Sequence, residues 1–183
     1  MKYGREKHQL DLEVGTLNSV KLTRKPDVII YSNVLEHLTD PVAELKTIKN
    51  ILHPEGLLFI EVPGIKNIHL NYRSDFLLYL QNAHTYHFSL TALKNIFLKT
   101  GFDMIYGDEY VRAIAKQGDI LSDKWDSDYE KVKDYLLQTE SKRKFYSFTV
   151  RGLKEDCVAA GLKIADAIGI RGVLRKFRKL FSK

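Results

Sequence analysis

The clearest pattern in the chain is an apolar run, an amphipathic helix and a second apolar run between residues 26 and 62. Neither apolar run alternates with polar residues, which is typical of parallel strands buried on both faces. Asp40 and Pro41 suit the cap and the first position of a helix whose apolar stripe includes Leu45 and Ile48. The pattern therefore predicts a strand at about 26–32, a crossover helix at about 41–53 and a parallel strand at about 56–62.

Shorter patterns predict the remaining elements. Residues 126–168 show helical spacing, and residues 64–84 form an insertion after the second buried strand. This insertion leaves the carboxyl end of a strand, where open α/β sheets bind ligands, so it is either a lid over a ligand or ordinary packing. Further strands are predicted at about 10–14, 102–107 and 109–115, the last two as a hairpin, and a further helix at about 90–100.

Three groups of residues carry a resemblance to a known family. The most specific is Asn33-Val34-Leu35-Glu36-His37-Leu38 followed by Asp40-Pro41; Gly15-Thr16-Leu17 lies before it, and His84-Thr85-Tyr86-His87-Phe88-Ser89 after it. Over about residues 3–115 the chain resembles the class I S-adenosylmethionine-dependent methyltransferases. The resemblance implies an α/β, Rossmann-like sheet with the strand order 3-2-1-4-5-7-6.

The chain departs from this family at its start. The resemblance implies a first strand, a glycine-rich turn and a second strand ending in an acidic residue, and the chain contains none of these. Residues 3–14 instead resemble the end of the family's second helix leading into its third strand. We therefore expect a partial fold with strands 3, 4, 5, 6 and 7 present and strands 1 and 2 missing, as in an N-terminally truncated domain. The domain would span 1–115, and a helical extension ending in a basic amphipathic helix would span 116–183. The missing strands would leave an unpaired strand edge, so either a partner chain supplies that half or the chain is marginally stable.

The resemblance implies contacts with the cofactor S-adenosylmethionine at two places. Gly15, Thr16 and Leu17 would border the adenine, and Ser32 and Asn33 would lie beside the methionine end. For Thr16 and Ser32, turn and cap hydrogen bonds are an equally common alternative. Without the glycine-rich turn, we expect this chain to bind the cofactor far more weakly than a complete relative.

Glu36 and His37 have a sharper interpretation. In ubiquinone-type and small-RNA 2′-O-methyltransferases, an E-x-x-E-H motif and a later histidine bind a divalent cation that activates the acceptor oxygen; here Asn33 replaces the first glutamate. Glu36, His37 and either His84 or His87 would be an adequate ligand set. Alternatively, His84 or His87 is the general base for an oxygen acceptor, or a structural histidine beside the helix cap at Ser89.

Composition narrows the protein class. The chain has 183 residues, of which 44% are hydrophobic, enough for one core domain with an appendage. No apolar run reaches the roughly 20 residues that span a bilayer, and the start lacks a signal-peptide pattern, so we expect a cytoplasmic location. Cys157 is the only cysteine, which excludes intramolecular disulfides and cysteine-based zinc sites.

The net charge of +6 lies in the tail of the chain. An apolar helical face from Ile170 to Phe181 is opposed by cations, which is typical of a helix lying on an anionic membrane surface. The alternative is a terminal helix docked on its own domain. The core shows no basic stripe interleaved with aromatics, which argues against nucleic acid as a partner. The six cations are Arg171, Arg175, Lys176, Arg178, Lys179 and Lys183.

Together these patterns predict methyl transfer to an oxygen of a small-molecule or saccharide-type acceptor. The competing hypothesis is a non-catalytic remnant, or an interaction or membrane-associated module, that keeps half of the fold but cannot hold the cofactor.

Overall fold

The computed structural model describes residues 2–80, 83–119 and 124–170. Its strands are β1 (Val28–Ser32), β2 (Leu57–Glu61), β3 (Phe102–Gly107) and β4 (Arg112–Gln117). They form one sheet in the order β1-β2-β4-β3. β1 is parallel to β2, and β4 is antiparallel to both β2 and β3. The α/β class is therefore confirmed, and so is the predicted unit of two parallel strands joined by a helix.

Four of the described helices begin at a residue whose side chain accepts a hydrogen bond from the first turn. The side chain of Asp40 accepts a hydrogen bond from the Ala43 N–H, and Ser89 accepts one from Ala92. Among the described residues, none of the helices has the length and hydrophobicity that a membrane span requires. The helices are α1 (Lys2–His8), α2 (Pro41–Ile51), α3 (Ile68–Asn71), α4 (Phe76–Tyr79), α5 (Leu90–Thr100), α6 (Tyr129–Arg143) and α7 (Val150–Ala167).

The core lies on one face of the sheet, beneath α2 and α5. Strand side chains alternate, so every second residue of β2 and β4 packs against these helices. On the opposite face, Val28 and Ile30 of β1 are 55% and 71% exposed. The fully buried core side chains include Leu45, Ile48, Leu58, Ile60, Leu93, Phe97, Phe102, Ala113 and Ala115.

The prediction of a strand at 10–14 is wrong. Residues 9–14 have no regular secondary structure, and the Leu10 N–H donates to the carbonyl of Gly4, 3.3 Å away. A strand is stable only beside another strand, and no described strand pairs with this segment. The described sheet therefore has four strands rather than the five that were predicted to be present.

Two other predictions change in detail. The second hairpin strand spans Arg112–Gln117 rather than 109–115, because the turn before it extends through Val111, whose φ is +56°. The helical stretch at 126–168 divides into α6 and α7 around a 3-10 turn at Tyr146–Phe148. The basic helix predicted in the tail lies outside the described residues.

Gly101 ends α5 in the left-handed region, with φ +75° and ψ 43°. Gly101→Ala is expected to lower the free energy of unfolding by about 1 kcal/mol, because a β-carbon is disfavoured at positive φ. Urea unfolding measures this change. Gly161→Ala, in α7 with no atom within 4 Å of the added carbon, is the control and should not destabilise the protein. Equal destabilisation by both variants would contradict the capping role.

Candidate active site

The polar residues after β1 are held by the end of β2. Asn33 has a left-handed backbone with φ +53°, and its N–H donates to the carbonyl of Glu61 at 2.8 Å. Its side-chain amide donates to Ser32 Oγ at 3.1 Å, and Ser32 Oγ donates to Glu61 Oε2 at 3.0 Å. Asparagine adopts this left-handed conformation more readily than most residues that have a β-carbon. The carboxyl ends of the two parallel strands thus present one fixed polar group of residues.

A cavity of about 350 Å³ lies at these strand ends. Asn33 and Glu61 form part of its wall, and the short helices of the insertion supply the rest together with the turn between β3 and β4. The side-chain polar groups of Asn71, Tyr72 and Tyr110 have no hydrogen-bond partner among the described residues, so they are free to bind a ligand. The lining residues are Asn33, Glu61, Val62, Pro63, Gly64, Asn67, Asn71, Tyr72, Tyr110 and Arg112.

Arg112 is fixed at the cavity by Asp108. The guanidinium donates to Asp108 Oδ2 through Nε at 3.0 Å and through Nη2 at 2.5 Å. Burial alone would raise the pKa of Asp108, but the hydrogen bonds and charge of Arg112 outweigh it and hold that pKa below its usual value. The guanidinium also lies over the Tyr110 ring, 4.9 Å from its centroid. The cavity therefore has a preorganised cationic and aromatic wall.

Beside the cavity, the Glu36–His37 pair binds the segment that follows the insertion. The N–H groups of Thr85 and Tyr86 donate to the Glu36 carbonyl at 2.8 and 3.1 Å. His37 Nδ1 lies 2.7 Å from the carbonyl oxygen of Ala83. These bonds bring the ring of His84 to 4.8 Å from that of His37, measured between centroids. The two predicted motifs therefore meet in the structure.

The protonation of His37 poses a problem that a cation would solve. A carbonyl only accepts hydrogen bonds, so His37 Nδ1 must carry the proton that is donated to Ala83. In a neutral ring Nε2 is then an acceptor, yet it faces Glu36 Oε1 at 3.5 Å, which is also an acceptor. A cation bound by both atoms would turn this contact between two acceptors into a favourable one.

Glu36 itself is only 2% exposed, and neither of its carboxylate oxygens has a hydrogen-bond partner among the described residues. A buried carboxylate in this condition is costly unless a positive charge compensates it. Ligand atoms of Glu36, His37 and His84 all lie within 4.8 Å of one another. Two ligands of one ion are at most roughly 4.2 Å apart, so a small side-chain adjustment would complete a cation site. The donor set fits a divalent metal.

His87 lies on the far side of His84. Its Nε2 is buried without a hydrogen-bond partner among the described residues, and burial, followed by the nearby His84, lowers its pKa. Ring contacts run from His87 to Tyr79 at 4.8 Å and from Tyr79 to Tyr72 at 5.1 Å, the latter on the cavity wall. The histidines thus adjoin the cavity without lining it.

The comparison with known families agrees with this geometry. A family model described as a methyltransferase domain matches residues 4–106, more than half of the chain. The chain belongs to this methyltransferase family. No curated protein matches the chain significantly. This match confirms the resemblance to the class I enzymes at the level of the family. Methyltransferases of this family generally use S-adenosylmethionine.

The methyltransferase offers the cofactor a partial fit. Ser32 and Asn33 form a polar end of β1, and Asn33 lines the cavity. Gly15, Thr16 and Leu17 do not line the cavity. Instead, the Thr16 N–H donates to Ser19 Oγ, and Ser19 Oγ donates to the Thr16 carbonyl, both at 2.9 Å, at a 3-10 turn. Leu17 packs against the core. The described residues assemble no adenosine cradle.

Among the polar residues that line the cavity, sequence reasoning predicted only Asn33. The polar lining residues that were not predicted are Glu61, Asn67, Asn71, Tyr72, Tyr110 and Arg112. An exposed tyrosine beside an Asp-x-x-x-Arg turn was the available signal for Tyr110. This sequence signal does not by itself indicate a binding site, because only the folded sheet places the turn beside the end of β2.

Proposed function

We propose that the chain transfers a methyl group from S-adenosylmethionine to a hydroxyl oxygen of a small-molecule or saccharide-type acceptor bound in the cavity. The observation that carries this proposal is the set of unpartnered groups of Asn71, Tyr72 and Tyr110 at the carboxyl ends of parallel strands. Ligands of α/β proteins bind at this edge of the sheet. An amide and two phenols match several hydroxyl groups, and the tyrosine rings offer faces for a sugar ring.

The chain's own residues would orient the acceptor and remove its proton. The cofactor, when bound, supplies a methyl group activated on a sulfonium, and Ser32 and Asn33 would hold its methionine end. Burial, and then the carboxylate of Glu36, raises the pKa of Tyr72, so this phenol stays protonated and can donate to the acceptor. His87, or His84 when it holds no cation, would take up the hydroxyl proton as general base through a bridging water molecule, because both histidines adjoin the cavity without lining it.

We further propose that Glu36, His37 and His84 hold a divalent cation. Such a cation, when bound, lowers the pKa of a coordinated hydroxyl group. The hydrogen bond from His37 Nδ1 to Ala83 supports this role because it fixes the ring and leaves Nε2 free to coordinate. One carboxylate and two imidazoles suit manganese, iron or zinc.

A second candidate function is an interaction module without catalysis. The exposed Val28 and Ile30 on the sheet face opposite α2 and α5 support it, as does the free edge of β1 in the described sheet. Such an edge would accept a strand from a partner chain.

Tyr72→Phe tests the acceptor site. The variant keeps the ring contact with Tyr79 but loses the hydroxyl, so binding of a hydroxylated acceptor should weaken about tenfold. A panel of monosaccharides and nucleotide sugars is screened by saturation-transfer NMR, which needs no cofactor, and then by transfer of labelled methyl groups. Tyr129→Phe, at an exposed ring outside the cavity, is the control. Binding that is unchanged by Tyr72→Phe, or no binding by any sugar, would contradict the proposal.

A further inference from the structure

α7 carries an apolar stripe that the described part of the chain leaves uncovered. Its members follow one another at intervals of three or four residues, which places them on one helix face. Val150 is 86% exposed, Ile164 62% and Ile168 61%. Small residues in the middle keep the stripe flat. The stripe consists of Val150, Leu153, Cys157, Gly161, Ile164 and Ile168.

The opposite side of α7 faces the domain. Arg73 Nε lies 3.4 Å from Glu155 Oε2, and the Arg73 guanidinium donates to Asp156. Gly152 is buried on the same side. Two acidic residues of α7 are therefore neutralised against the domain, and the apolar stripe points away from it. Lys154 is adjacent to the stripe and can extend its amine beyond the apolar surface.

The stripe ends where the basic tail begins. Gly169 has φ +73°, and the Ile170 N–H donates to the Ala165 carbonyl at 2.9 Å, which closes the helix. The next 13 residues, 171–183, contain six cations and no acid. An uncovered apolar face and a strong positive charge thus adjoin each other along the chain.

We propose that the α7 stripe is a contact surface for an anionic membrane, and that the cations that follow it in the sequence strengthen the attraction. Apolar side chains and cations in one continuous segment match the two parts of an anionic lipid surface, its acyl region and its headgroups. A second copy of the chain fits less well, because pairing two such ends would bring two tails of six cations together. Nucleic acid would use the cations but leave the apolar stripe in water.

Vesicle sedimentation of the full chain tests the proposal. The chain should bind vesicles containing phosphatidylglycerol, bind pure phosphatidylcholine poorly, and lose binding as salt rises. Val150→Glu and Ile164→Glu should each weaken binding about tenfold or more, since a charge replaces an apolar contact. Leu77→Glu, at an equally exposed apolar residue of α4, is the matched control and should bind as the original chain does. Circular dichroism checks that each variant remains folded.

The other occupants give different results. Binding that survives Ile164→Glu but is lost on Arg175→Glu with Lys176→Glu would mean that the tail acts without the stripe, and would overturn the proposal. So would equal binding to neutral vesicles. A dimer in the absence of lipid that Ile164→Glu dissociates would indicate a second copy. Binding of single-stranded RNA with the same dependence on Ile164 would indicate nucleic acid, which also overturns the membrane proposal.

Discussion

Glu36→Gln is expected to reduce the affinity of the protein for Mn²⁺ at least about 100-fold, because a buried ligand oxygen and its charge are lost together. Without metal, the same variant should leave stability unchanged or raise it, since the buried unpaired carboxylate is costly. Added Mn²⁺ should raise the melting temperature of the original chain, because it binds only the folded state, and should have no effect on the variant.

Paramagnetic resonance of Mn²⁺ and thermal unfolding with and without the ion measure these effects. Glu55→Gln, in the exposed turn before β2, is the control and should bind the ion as the original chain does. The competing explanation is an ion pair between Glu36 and a doubly protonated His37. In that case no ion binds, Glu36→Gln destabilises the fold, and the metal proposal fails.

The isolated chain is expected to self-associate through β1. This strand has a free edge in the described sheet, and its outward face presents Val28 and Ile30, 55% and 71% exposed. Parallel strands are ordinarily covered on both faces, so the exposed apolar face of β1 favours contact with another chain. Its free edge favours pairing with another strand. Sedimentation velocity should show oligomers that shift towards monomer in Ile30→Lys, because a charge blocks the apolar contact.

Leu77→Lys, at an exposed apolar residue away from the sheet, should leave the oligomers unchanged. A chain that is monomeric at high concentration and unfolds cooperatively would show that the edge of β1 needs no partner. If the Ile30→Lys variant is monomeric and still binds a sugar, self-association and acceptor binding are independent properties of the chain.

Much of the fold was predictable because it depends on local sequence. The uninterrupted apolar runs predicted β1 and β2, and the caps Asp40 and Ser89 fixed the starts of two helices. The segment at 10–14 alternates like a strand but forms none. Alternation describes which face of a strand would be buried, whereas a strand exists only if another strand supplies its hydrogen bonds.

The candidate site also has one part that the sequence predicted and another that only the tertiary structure shows. The sequence determined which residues could perform chemistry at the strand ends: Asn33 after β1, the Glu36–His37 pair and the later histidines, together with the methyltransferase family to which they belong. Only the tertiary structure decided that Ala83, Thr85 and Tyr86 bind the Glu36–His37 segment, which leaves a buried carboxylate facing an imidazole nitrogen. It also placed Tyr110 and Arg112 in the cavity. These contacts join residues more than 40 positions apart, and their geometry depends on the packing of the sheet, which no local pattern encodes.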